Sequence, residues 1–112
     1  PFVVGPAVER KIGLSGMSQL AINATEFQSA NWAKEKGLYA EVFASTTEMD
    51  EAVNELASKL AASNPEAMGH LKRTFWQGTE HWDQLLSERA AISGNLVLSD
   101  FTRSFIHQFK TK

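Results

Sequence analysis

Cysteine is absent from the 112 residues, which excludes a disulfide scaffold, a thiolate zinc site and thiol chemistry. Charge of one sign is scarce as well. Eleven Lys and Arg stand against thirteen Asp and Glu, for a formal charge of -2, and no polybasic block is present. A whole-domain electrostatic grip on nucleic acid or on an anionic membrane is therefore not expected. No apolar run approaches the roughly 18 residues of a membrane span, and no signal peptide is evident, so the expected location is the cytoplasm. Three prolines and seven glycines act as punctuation between elements, and no repeat or low-complexity stretch occurs.

What is present suits a globular unit. Apolar residues make up 43% and charged residues 21%, too apolar a balance for intrinsic disorder. The chain opens Pro1-Phe2-Val3-Val4 without an initiator Met, an apolar start that suggests a piece of something longer. Pro6 to Ile12 is a helix candidate ending at Gly13, and Ser15 is placed to cap a second segment through Met17, Leu20 and Ile22. Ser29 caps a third, Ala30 to Lys36, stopped by Gly37. Leu38 to Phe43 holds Tyr39, Val42 and Phe43, a short aromatic and β-branched run that reads as the only strand.

Beyond residue 45 the helical signals sharpen. Thr47-x-x-Asp50 resembles a capping box, and Met49, Val53, Leu56 and Leu60 then recur at helical spacing to about Ala62. Asn64-Pro65-Glu66 is a strong helix start, followed by Met68, Leu71 and Phe75 on one face. A further helix runs from about Glu80 through Trp82, Leu85, Leu86 and Ile92, with Gly94-Asn95 as a break or kink. Ser99-Asp100 caps the last one, in which Phe101, Phe105 and Phe109 repeat every four residues. The fold class expected is thus mainly α with one short strand, divided into residues 1–45 and 46–112. Trp76, Trp82, Leu85, Leu86 and Ile92 supply more large apolar surface than a four-helix piece readily hides in its own core.

No Walker loop, G-x-G-x-x-G, G-x-S-x-G or H-E-x-x-H occurs. His70, His81 and His107 lack a second ligand at metal-site spacing, so no metal and no catalytic residue is assigned. Glu80 and Glu88 flank Trp82 but lie about two helical turns apart, too far to act on one atom. Taken alone, these residues describe a non-enzymatic helical interaction module.

The order of the punctuation nevertheless resembles the crotonase (enoyl-CoA hydratase/isomerase) superfamily. Pro1-Phe2-Val3-Val4-Gly5, Arg10-Lys11-Ile12-Gly13, Ser18-Gln19-Leu20-Ala21-Ile22, Phe27-Gln28-Ser29-Ala30 and Gly37-Leu38 with Val42 follow that family's sequence of motifs. So do Leu56-Ala57-x-x-Leu60-Ala61, Asn64-Pro65, Met68, Lys72, Glu88 and Ser99-Asp100. Asn23-Ala24-Thr25 and Arg103-Ser104 depart from the family pattern. The resemblance implies the carboxyl-terminal portion of a ββα spiral (residues 1–45) and a helical trimerisation region (residues 46–112). It implies an acyl-CoA enzyme, a hydratase or isomerase working through an oxyanion-stabilised enolate, with its catalytic glutamates in a missing amino-terminal half. The expected partners are acyl-CoA and copies of the chain in a homotrimer or hexamer, with coenzyme A as part of the substrate and no separate cofactor. It places Ile92, Phe109, Lys110 and Lys112 against coenzyme A and Phe2 at the acyl-pocket edge. Besides the interaction module, an independent CoA-binding helical domain is the remaining alternative.

Overall fold

The computed structural model describes residues 1–110. They form six helices: α1 (Gly5–Ile22), α2 (Ala30–Glu35), α3 (Thr46–Ala61), α4 (Pro65–Phe75), α5 (Trp82–Val97) and α6 (Asp100–Lys110). Short polar side chains start most of them, each by satisfying a backbone N–H that has no partner inside its helix. The Ser29 hydroxyl accepts from Trp32 N at 3.0 Å, and the Asn64 side chain accepts from Glu66 N at 2.9 Å and Ala67 N at 3.1 Å. Ser99 accepts from Thr102 N at 3.3 Å. Helix α3 begins earlier than its capping-box pattern suggests. Ser45, with extended backbone, accepts from Glu48 N at 3.2 Å, which puts Thr47 inside the helix.

Two glycines shape the first half. Gly13, with φ 73° and ψ 167°, breaks the helical backbone where the sequence ends its first helix, so α1 is two helical segments joined at a kink; side-chain-bearing residues avoid that conformation. Gly37, at φ 80°, closes α2 in a Schellman motif: Leu38 N donates to Ala33 O at 2.8 Å and Gly37 N to Lys34 O at 2.9 Å. Gly94, by contrast, leaves α5 unbroken, since one interior glycine costs only about 1 kcal/mol.

The Schellman turn also explains why the expected strand is missing. Leu38 N and Tyr39 N both donate to Ala33 O, and Val42 N turns to the Glu41 side chain at 3.2 Å. These donors serve a helix end and a carboxylate, and no second strand-like run exists to pair with them. Among the described residues there is no strand at all.

That finding overturns the crotonase resemblance. A ββα spiral requires paired strands, so this chain does not form the expected spiral portion, and the mixed fold class gives way to an entirely helical one. The enoyl-CoA hydratase or isomerase activity rested on that fold and is withdrawn with it. So are the acyl-CoA substrate, the missing half-subunit and the homotrimer or hexamer inferred from the family.

The helices do not close around an interior. Ala33, at 6% exposure, is the only buried apolar side chain among the described residues, joined by the glycines Gly5 and Gly16. Among the described residues, only α5 and α6 lie against each other over several residues. The radius of gyration is 18.8 Å, with extents of 54 × 37 × 24 Å, where a compact chain of this length has about 13 Å. The exposed surface is 9212 Å², against roughly 6,100 Å² for a folded monomer of this mass.

The Asn64 cap is the most separable local contribution. Asn64→Ala should cost about 0.5–2 kcal/mol at the start of α4. Amide exchange at Glu66 and Ala67 should accelerate while α3 and α5 are unchanged; equal exchange at those two amides would contradict the assignment.

Candidate functional site

The exposed apolar surface is organised by helix geometry. On α3, Met49, Val53, Leu56 and Leu60 are spaced by four, three and four residues, which places them on one face. All four are exposed, Val53 and Leu56 by 57% each. Opposite them lie Glu48, Glu51 and Glu55, so the polarity of α3 is that of a helix meant to be covered on one side. Met68, Leu71 and Phe75 form a second exposed face on α4, and Phe101 and Phe105 a third on α6, with Phe101 83% exposed. Only Ala62, Ser63 and Asn64 separate α3 from α4. A connection this short normally folds two helices face to face, yet these two do not lie against each other over several residues.

The α3 face borders a cleft of about 930 Å³. Its far wall is the Leu38–Phe43 segment, with Leu38, Tyr39, Val42 and Phe43 facing Met49, Val53 and Leu56. The segment is held by an ion pair between Lys34 and Glu41. The same contact keeps the Glu41 carboxyl below the ordinary glutamate range, through the Lys34 hydrogen bond first and the Val42 N–H second. With Glu41 so engaged, the cleft presents mainly apolar side chains.

A second, smaller cleft of about 430 Å³ separates α1 from α5. Pro6, Glu9, Gly13 and Leu14 line one side; Trp82, Leu85 and Arg89 line the other. Arg10 also borders it, but its guanidinium reaches across to donate to Phe75 O and to Gln77 O, the latter at 3.0 Å. It thereby satisfies carbonyls at the end of α4. Trp76 and Trp82 meet edge to face, centroids 5.8 Å apart and planes at 89°, a favoured aromatic geometry. Nearby, the Glu80 carboxylate accepts from Gly78 N at 3.2 Å, and the backbone N–H groups of Glu80 and Gly78 hold its pKa down.

Two of the residues assigned by resemblance, Ile92 and Phe2, have described side chains. Ile92 lies 43% exposed on α5, and Phe2 is half-buried in the turn before α1; neither lines either cleft. Phe109 and Lys110 belong to the last turn of α6, and Lys112 lies outside the described residues. Among the described residues no three His, Asp or Glu side chains gather as a metal site would need. His70 sits 4.0 Å from Glu66, one helical turn away on the exposed surface of α4. The cleft walls at Val42 and Phe43, and Arg10 and Arg89 between α1 and α5, were not foreseen as site residues. Their juxtapositions are tertiary and leave no local sequence signal.

Compared with protein-family models, curated protein sequences and solved structures, the chain matches none.

The Lys34–Glu41 contact makes the cleft wall pH-dependent. A carboxylate whose folded pKa is depressed contributes stability above its unfolded pKa and loses it as pH falls through the folded value. Lys34→Ala should therefore raise the Glu41 midpoint toward that of an ordinary glutamate in a carboxyl NMR titration. An unchanged midpoint would show that Lys34 does not hold the wall.

Proposed function

We propose that the chain is a non-enzymatic helical interaction module whose apolar helix faces are completed by a partner protein. One observation carries the reading: the fold leaves roughly 3,000 Å² more surface exposed than a compact monomer of its mass. Much of this surface is in the faces of α3, α4 and α6. Monomers rarely show contiguous apolar patches larger than a few hundred Å², whereas obligate interfaces bury about 2,000–5,000 Å² and resemble a divided core.

Energetics point the same way. Each large apolar side chain gains about 1.5–3 kcal/mol on full burial. Met49, Val53, Leu56, Leu60, Met68, Leu71 and Phe75 are all exposed in the free chain, so that gain remains for a partner to supply. The charged backs of α3 and α4 fit the same role, because Glu51, Glu55, Glu66 and Arg73 stay in water when the opposite faces are covered.

Leu56→Glu separates an interaction face from an internal core. As an exposed position it should change the stability of the free chain by no more than about 0.5 kcal/mol. It should leave far-UV dichroism intact and lower binding of the apolar dye ANS. Loss of helicity, or destabilisation by the several kcal/mol expected of a charge buried in a core, would overturn the proposal.

A further inference from the structure

The cleft between α1 and α5 is separate from the apolar faces of α3, α4 and α6, and its chemistry differs. Arg89 is half-buried within it. Its Nη1 lies 3.9 Å from the position a Cβ on Gly5 would occupy, so the guanidinium rests against the start of α1, where the glycine leaves room. Unlike Arg10, which is spent on the Phe75 and Gln77 carbonyls, Arg89 has no hydrogen-bond or ion-pair partner for its guanidinium among the described residues. Partly removing an arginine from water without a counter-charge is unfavourable. Glu9 borders the same cleft but forms no ion pair with it.

We propose that this cleft binds a monoanionic carboxylate joined to an apolar body, with Arg89 as the residue that receives the carboxylate. The planar guanidinium offers two parallel N–H donors to a carboxylate. Leu14, Leu85, Pro6 and the Trp82 indole supply the apolar walls, and the edge-to-face contact with Trp76 fixes the indole's orientation. The volume of about 430 Å³ falls within the range of small-ligand sites. Arg89 and Arg10, whose carbonyl partners are neutral, stand against Glu9 and leave one net positive charge at the cleft, which one carboxylate balances and a dianion such as phosphate exceeds. Two sources carry this chemistry, a free branched or aromatic acid and the terminal carboxylate of a peptide ending in an apolar residue.

The test is an NMR titration of the 112-residue chain, following the Trp82 indole N–H and the Arg89 side chain. The probes are N-acetyl-leucine, 4-methylpentanoate, N-acetyl-leucinamide and inorganic phosphate. Either acid should shift both signals saturably, while the amide and phosphate should not. Preference for N-acetyl-leucine identifies a peptide terminus, and preference for 4-methylpentanoate a free acid. Arg89→Gln should weaken binding by about tenfold or more, as loss of a charge-assisted bidentate contact implies. Glu9→Gln should strengthen it, and this variant decides the matter if Arg89→Gln fails to fold. The proposal is overturned if neither acid shifts the signals, if the amide or phosphate matches the acids, or if Glu9→Gln leaves affinity unchanged.

Discussion

A helix with one apolar face is stable in water only when something covers that face, and short isolated helices are marginal even with favourable sequences. Every larger feature of this chain follows from how incompletely that condition is met within it. The backbone is well served locally. Serine and asparagine caps close helix starts, the Gly37 Schellman turn closes α2, and Arg10 ties the end of α4 back to α1 across 65 residues. Side-chain burial lags far behind, with Ala33, still 6% exposed, the only buried apolar side chain among the described residues. Hydrogen bonds of this kind contribute about 0.5–1.5 kcal/mol each; burial is what ordinarily offsets the entropy of ordering a chain.

The arrangement therefore separates two kinds of surface. The α3 and α4 faces, with the neighbouring 930 Å³ cleft, are broad and apolar, suited to a macromolecular partner. The α1/α5 cleft is small, bordered by a Trp82 ring that meets Trp76 edge to face, and charged at Arg89. Breadth and apolarity favour area-driven association; a small cleft with an unpaired guanidinium favours selection of a small charged group. The kink at Gly13 matters to the second, because Gly13 and Leu14 help form its wall.

How much of this was legible in the sequence depended on the range of the interaction. Ser29, Asn64 and Ser99 were readable as caps because a cap and the N–H groups it satisfies lie within three residues. The α3 and α4 faces were readable because helical spacing alone aligns Met49 with Val53 and Met68 with Leu71. The strand was not. Leu38–Phe43 has the composition of one, but a strand exists only with a neighbour, and its first donors instead close α2 at Ala33. The family resemblance failed for a related reason: an ordered succession of Gly, Pro and apolar positions describes helix boundaries, which do not specify a ββα spiral. Arg10 on Phe75 and Arg89 against Gly5 were invisible because nothing in the local sequence brings those residues together. Trp76 and Ile92, read in the sequence as surplus apolar surface, are indeed exposed, but so are the α3, α4 and α6 faces and the end of α5 at Leu96 and Val97.

The central claim is that this chain alone does not close around a core of its own. Small-angle X-ray scattering of the monomer, extrapolated to infinite dilution, tests it most directly. The account predicts a radius of gyration near 18.8 Å. A value near the roughly 13 Å of a compact chain of this length would show that the apolar faces meet one another, and would contradict it.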